Sequence, residues 1–266
     1  MNTHAHSWKL RLVHHGFSHV DLAWEGGQIH FNPLQSVDPD DLVVLLSAWP
    51  EALQGVQTMV RNRTWCTVIA PSMLIDWLSS LGWPVERLHT SFDKEGLSIN
   101  LEEYEPIPSL TPKEAVYKGW ETLKRPWRTL NRMKAHRETP SCSPSMAWIT
   151  FPSGKMLAHL HCAFHRRQDS QLESVWIERA SEATWVIVGA DHEEHEHCAK
   201  AFEQLQSEHV LLTDLIGDFR RAAGLPCALL TPLADKVIGN GRLVQLFATQ
   251  VTHRFDNTPL LSMDEH

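Results

Sequence analysis

The chain has 266 residues, of which 42% are hydrophobic and 21% are charged, so it can bury a sizeable core. Its formal net charge of −8 argues against a general nucleic-acid-binding protein, because phosphate contacts need a basic face. No apolar run reaches the roughly 18 residues of a membrane span, and no secretion signal is recognisable at the N-terminus. The five cysteines form no C-x-x-C pair, which favours reduced thiols and a cytoplasmic protein.

The first hundred residues predict strands followed by a β-α-β passage. Alternating apolar residues predict a half-buried strand over Trp8 to His14, and Gly26-Gly27 predicts a hairpin turn. The continuous apolar run Leu42 to Leu46 predicts a strand covered on both faces. A loop at Ser47 to Trp49 follows, and the helix after it is expected to begin at Pro50. Loops at the ends of such strands commonly carry functional residues in α/β proteins.

A basic helical insertion is predicted between the two halves of the chain. Thr111 to Arg137 carries eight Lys or Arg against two Glu, a net +6 that leaves −14 for the remainder. A kink is expected at Pro126. Such a helix can dock on a protein partner, an acidic ligand or a membrane surface, or it can pack its aromatic stripe on the rest of the fold. The residues expected to bind a partner are Tyr117, Trp120, Arg125, Trp127 and Arg128.

The second half again predicts strands followed by alternating β and α elements. A hairpin is expected around Pro152-Ser153-Gly154, and the final residues from about His253 are expected to be frayed. Helices are predicted over Leu172 to Ala180, His192 to Ser207 and Ile216 to Ala223, and strands over Trp185 to Val188, Val210 to Thr213 and Leu243 to Phe247. The expected architecture is one α/β (α+β) domain over 1–266: an αββα sandwich of two mixed sheets, with halves at about 1–108 and 145–252 and the insertion at about 109–144.

The order of these segments resembles the metallo-β-lactamase superfamily, most closely the L-ascorbate-6-phosphate lactonase-like hydrolases. The resemblance is carried by the turn His14-His15-Gly16-Phe17-Ser18, the stretch Asp41 to Leu53, Gly154 to Cys162, and Val210 to Asp214. In the family these positions correspond to a G-H-A-x-F-type turn, the metal-binding strand and loop, a G-K-R strand that ends in G-D-T, and the strand before the last histidine ligand. The resemblance implies the sandwich fold and a divalent metal that activates water.

This chain departs from the family at the metal-binding positions. The loop Ser47 to Leu53 contains no His or Asp, where the family has H-x-H-x-D-H. The strand-end histidine is replaced by the region of Glu105, the bridging aspartate by His161 or Cys162, and the last histidine by Thr213 or Asp214. Only His15 matches a family histidine, the one in the turn, which is not a core metal ligand. The resemblance therefore transfers the fold and not the metal centre.

Two histidine groups could still hold a metal. His159 and His161, two apart on a strand, are expected on one face, where both imidazoles could bind the same ion. Alternatively, they are histidines at a strand end with no metal-binding role. His192 and His195, three apart on a helix, could share an ion, or could belong to a solvated acid-rich first turn. Asp214 stands where a ligand would be expected, or serves as a helix N-cap.

The sequence is interpreted as a metallo-β-lactamase-like protein that has lost its metal site and acts as a protein-interaction or regulatory module. The sequence assigns no catalytic or metal-binding residue under this interpretation, and no cofactor is expected. The alternatives are a hydrolase with a rearranged zinc or other divalent-metal site built from His159, His161, His192, His195 and Asp214, and a small-ligand binder. The former active-site mouth is expected to contain His15, Trp49, Glu105, His161 and Asp214.

Overall fold

The chain folds into an αββα sandwich, as predicted. The structure, a computed structural model, describes residues 9–16, 19–50, 52–104, 139–140, 144–161, 170–189, 201, 203–213, 237–238, 242–246 and 252–256. Two mixed sheets pack face to face, and helices cover the outer face of each. None of the helices in these ranges is long and apolar enough to cross a membrane.

Seven strands of the described residues form the first sheet. They are β1 (Lys9–Gly16), β2 (His19–Trp24), β3 (Gly27–Phe31), β4 (Leu42–Val44), β5 (Thr67–Ile69), β6 (Leu88–His89) and β15 (Thr252–Asp256). Their spatial order is β15-β1-β2-β3-β4-β5-β6. Strands β15, β1, β2 and β3 are antiparallel neighbours, whereas β3 to β6 run parallel.

Eight strands in the part of the chain that the structure describes form the second sheet. They are β7 (Ser91–Lys94), β8 (Leu97–Glu103), β9 (Ser145–Thr150), β10 (Met156–Leu160), β11 (Trp185–Gly189), β12 (His209–Thr213), β13 (Val237–Ile238) and β14 (Arg242–Leu246). Their spatial order is β13-β14-β12-β11-β10-β9-β8-β7. The strands from β14 to β10 run parallel, whereas β13 and the strands from β10 to β7 pair antiparallel with their neighbours.

The hydrophobic core has three layers, as expected when each sheet buries both of its faces. Leu12 and Phe31 of the first sheet pack between the sheets against residues such as Ile187 of the second. Outside the first sheet, helices α1 (Gln54–Asn62) and α2 (Ser72–Ser80) cover an apolar layer, and α3 (Ser170–Ser181) covers the second sheet. The alternation of side chains along each strand therefore separates an inner face from an outer one.

Two sequence predictions differ from the structure. Helix α1 begins at Gln54 rather than at Pro50, since residues 52 and 53 form a turn in which the N–H of Leu53 donates to the carbonyl of Trp49. The residues expected to be frayed include β15, which pairs with β1 in register from Lys9 with Asp256. Local sequence signals do not reveal this pairing because its partner lies at the other end of the chain. The basic insertion lies outside the described residues.

Candidate functional site

The ends of strands β4, β9, β10 and β12 meet at one end of the sandwich, and loops at strand ends commonly carry functional residues. The side chain of Asn32, at a φ of 44°, accepts a hydrogen bond from the N–H of Leu46 at 2.8 Å. The N–H of Ser145 donates to the carbonyl of Leu46 at 2.7 Å and so connects the two sheets. These bonds position the loop after β4 beside the start of β9. The hydroxyls of Ser47 and Ser145 are buried there without a hydrogen-bond partner in the described part of the chain.

His159 and His161 lie at the C-terminal end of β10 and are both fully buried. Their ring centroids are 6.3 Å apart, and the ring of His159 contacts Phe31 of the first sheet edge to face at 4.8 Å. Within the described ranges, none of their four ring nitrogens has a hydrogen-bond partner. Burial lowers the pKa of His161 to about 4 and that of His159 well below its usual range. Both imidazoles are therefore neutral near pH 7, the form that can bind a metal.

Trp49 and Tyr104 contact His161 from two sides. The ring of Trp49, in the loop after β4, lies 5.2 Å from the imidazole of His161. The hydroxyl of Tyr104 donates to the main-chain carbonyl of His161. Tyr104 thus holds the end of β10 in place, and Trp49 covers the imidazole. The position that the sequence compares with a metal-binding loop is occupied by an aromatic ring.

The histidine pair in β1 is divided between the two faces of the first sheet. His14 is buried on the same side as Leu10 and Leu12, and its charge would lower the pKa of His159. His15 points the other way and donates from Nε2 to Asp21 at 2.8 Å. His14 therefore lies on the inner face of the sheet, whereas His15, which the sequence places in the mouth, lies on the outer face. A bulge between His14 and Gly16 adjusts the pairing here.

The structure brings together only some of the candidate residues. Trp49 and His161 are in contact, and His159 is adjacent, but no third described ligand completes a metal site with the two imidazoles. Thr213, which ends β12, is buried and its hydroxyl donates to the carbonyl of Val188 at 3.2 Å. The predicted residues that lie outside the described part are Glu105, Tyr117, Trp120, Arg125, Trp127, Arg128, His192, His195 and Asp214.

A second polar cluster, which the sequence does not reveal, lies on the outer face of the first sheet. Asp21 of β2 accepts hydrogen bonds from His15 at 2.8 Å, His19 at 2.8 Å and His30 at 2.6 Å. His30 donates from its other nitrogen to Asp41 at 3.0 Å. The only local signal was the density of histidines between His14 and His30, because the pairing of Asp21 with His30 depends on the β2–β3 register.

The charges in this cluster follow from its hydrogen bonds. Burial alone would raise the pKa of Asp21, but the hydrogen bonds that His19 and His30 donate to it outweigh burial and hold that pKa far below its usual range. Burial likewise opposes protonation of His30, yet its two carboxylate partners raise its pKa. Burial dominates at His19 and lowers its pKa. At neutral pH the cluster thus contains an ionised Asp21 and a neutral His19.

An apolar cavity lies at the opposite end of the sandwich, remote from both polar clusters. It is lined mainly by Trp24, Phe151 and Trp185, with Glu25 at its edge. Phe151 packs near both tryptophans, with ring centroids 6.2 Å and 6.0 Å away. This end carries no histidine, cysteine or second carboxylate among the cavity-lining residues, so no chemistry is assigned to it.

The overall structure is similar to solved metallo-hydrolases. "Igni18, a novel metallo hydrolase from the hyperthermophilic archaeon Ignicoccus hospitalis KIN4/I" aligns with a TM-score of 0.52 at 13% identity, covering 93% of this chain and 98% of that one. The isothiocyanate hydrolase from Delia radicum gut bacteria also aligns with a TM-score of 0.52, at 9% identity, covering 92% and 99%. No family profile and no curated protein sequence matches the chain. The likeness establishes a metallo-hydrolase-like fold, whereas the lactonase-like branch stays a prediction.

Proposed function

We propose that the protein is a metal-dependent hydrolase whose metal site is rearranged around His159 and His161. The observation that carries the proposal is the pair of fully buried, neutral imidazoles with no hydrogen-bond partner among the described residues. A buried polar group without a partner costs about 1–3 kcal/mol, so two such side chains are expensive unless they serve a ligand. The fold of solved metallo-hydrolases supports this choice over an inactive module.

The donor set fits a divalent metal of the zinc class. Imidazole nitrogens are common zinc ligands, and a catalytic site typically uses three protein ligands and leaves one position open. His159 and His161 would supply two ligands. We propose that Asp214, which directly follows the end of β12 in the chain, or His192 or His195, supplies the others. A bound metal of this kind lowers the pKa of a water molecule toward 7 and so provides a hydroxide nucleophile.

The other residues at this end would shape the site. Trp49 shields the imidazole of His161 from solvent, and a site with less water strengthens electrostatic interactions. Tyr104 fixes the backbone at His161, so the imidazole keeps its position when a substrate enters. The hydroxyls of Ser47 and Ser145, which are buried beside the loop, are available to donate to a substrate oxygen. We assign these two serines to substrate binding rather than to nucleophilic attack, because the described residues place no general base in hydrogen-bond contact with either.

The test is the metal content of the protein purified without chelator, measured by elemental analysis. The double variant His159→Gln/His161→Gln should lose one equivalent of metal relative to the wild type. Hydrolysis of ester, lactone and phosphodiester reporters should fall by at least about 100-fold, because changes even outside the ligand shell cost 10–100-fold. His89→Gln, a half-buried histidine on β6, serves as the control and should retain both. An unchanged metal content in the double variant would overturn the proposal.

A second candidate, the inactive interaction module, is favoured by one specific observation. Trp49 packs against His161 at the position where related enzymes carry a ligand loop. A metal-free protein that hydrolyses none of the reporters would support this candidate. Its partner could then be sought by pull-down with and without residues 111–137. An unchanged set of captured proteins would exclude the insertion, including Trp120 and Trp127, as the docking element.

A further inference from the structure

We propose that His15, His19 and Asp21 form a second divalent-metal site on the outer face of the first sheet. In the described part of the chain, these three residues alone place three metal-ligand atoms within 4.8 Å of one another. Two imidazoles and one carboxylate are a typical ligand set for zinc. The site is separate from His159 and His161, which lie on the inner side of the sandwich, and it does not depend on the proposed hydrolase.

The pairing of strands β1 and β2 already brings these three side chains together. His15 is the penultimate residue of β1 and His19 starts β2, and the antiparallel pairing of these strands brings both to Asp21. The rings of His15 and His19 stack with centroids 4.5 Å apart at an angle of 28°. Both present Nε2 to the Asp21 carboxylate, His15 at one oxygen and His19 at the other, each at 2.8 Å. Ligands around a zinc ion are about 3 Å apart, so a small expansion would admit the ion.

One side of the cluster of His15, His19 and Asp21 is open to solvent, and the other side is hydrogen-bonded to further residues. The side chains of His15 and Asp21 are 24% and 28% exposed, so an ion can reach them from solvent. His19 is 3% exposed and forms the inner wall. Behind Asp21, His30 donates to it and to Asp41, and this arrangement matches the second layer that orients metal ligands. A single ion pair would need one imidazole beside Asp21, whereas three contact it. A metal site accounts for all three, with His15 and His19 as ligands and His30 orienting the carboxylate.

Metal binding has one identifiable cost. The N–H of Leu34 donates to Nδ1 of His19 at 3.3 Å, so the proton of this neutral ring resides on Nε2. A metal on Nε2 requires that proton to move to Nδ1, and the long contact with the N–H of Leu34 is then lost. Binding therefore relocates the ring proton of His19, because an imidazole binds a metal only through an unprotonated nitrogen. The loss of one weak hydrogen bond is small compared with two imidazole–metal bonds.

The experiment titrates Co²⁺ into the chelator-treated His159→Gln/His161→Gln protein, so that the inner histidines make no contribution. The ligand-field absorption of bound Co²⁺ is recorded, and Zn²⁺ is then added as competitor. One equivalent of Co²⁺ should bind and be displaced by Zn²⁺. Adding His15→Gln or Asp21→Asn should weaken binding by at least about 100-fold, and Asp41→Asn by about 10–100-fold through His30. His89→Gln is the matched control and should bind like the parent.

A purely structural hydrogen-bond network predicts the opposite pattern. In that case Co²⁺ would give no one-to-one ligand-field spectrum, or the spectrum would persist unchanged in His15→Gln and Asp21→Asn, and either result would overturn the proposal. A parallel thermal melt guards against unfolded variants: Zn²⁺ should raise the Tm of the parent and not that of Asp21→Asn. Because the inner histidines are already replaced, this result is independent of whether the protein is a hydrolase.

Discussion

Acidification should destabilise the metal-free protein in a way that can be traced to His161. This imidazole is fully buried, and burial lowers its pKa from 6.5 to about 4. Between these two values the unfolded chain binds a proton at His161 that the folded protein does not bind. The free energy of unfolding therefore rises with pH across this window. The stability contributed by the neutral ring is complete above about pH 6.5 and is lost as the pH falls toward 4.

The size of the effect follows from the pKa difference. One pKa unit corresponds to about 1.4 kcal/mol, so lowering the pH from 7 to 4.5 should cost about 2 kcal/mol through His161 alone. His159 adds to the loss in both proteins, since burial lowers its pKa as well. A difference of this size exceeds the uncertainty of a denaturant titration when the two proteins are compared directly.

The assay is urea unfolding at pH 7 and pH 4.5 in the presence of a chelator. His161→Gln removes the titrating group, so its loss of stability on acidification should be smaller than that of the wild type by about 2 kcal/mol. Carboxylates such as Asp21 titrate in both proteins and cancel in the comparison. If His161→Gln and the wild type lose the same stability, the imidazole is not buried and neutral as described.

Three further changes test the packing that positions the site. Gly55→Ala should lower the free energy of unfolding by more than about 2 kcal/mol in a denaturant melt, because the new Cβ would clash with the backbone oxygen of Pro33. An unchanged free energy of unfolding would contradict this close approach. Glu102→Ala should lower the free energy of unfolding by about 2–3 kcal/mol, since it leaves Arg179 and two indole N–H groups without their carboxylate acceptor. An unchanged free energy of unfolding would mean that these groups are hydrated rather than bonded to Glu102. Cys66 is buried with its pKa raised to about 12, so peptide mapping after alkylation at pH 8 should find it protected in the folded protein, and rapid labelling would refute its burial.

The sequence by itself determined the class of fold. Continuous apolar runs such as Leu42 to Leu46 and alternating ones such as Trp8 to His14 depend on local periodicity, so the two mixed sheets and their flanking helices could be predicted. The absence of His and Asp from Ser47 to Leu53 was also plain from the sequence. Both kinds of information are carried by consecutive residues and need no long-range contact.

Only the tertiary structure decided which polar side chains meet. The strand β15 was missed because its stability comes from pairing with β1, about 240 residues earlier in the chain. The face on which His14 and His15 lie depends on the bulge and register of β1 with β2, since a shift of one residue exchanges the two faces. The Asp21 cluster likewise needs three strands in register. The packing of the two sheets excludes solvent from His159 and His161, and this burial keeps both imidazoles neutral.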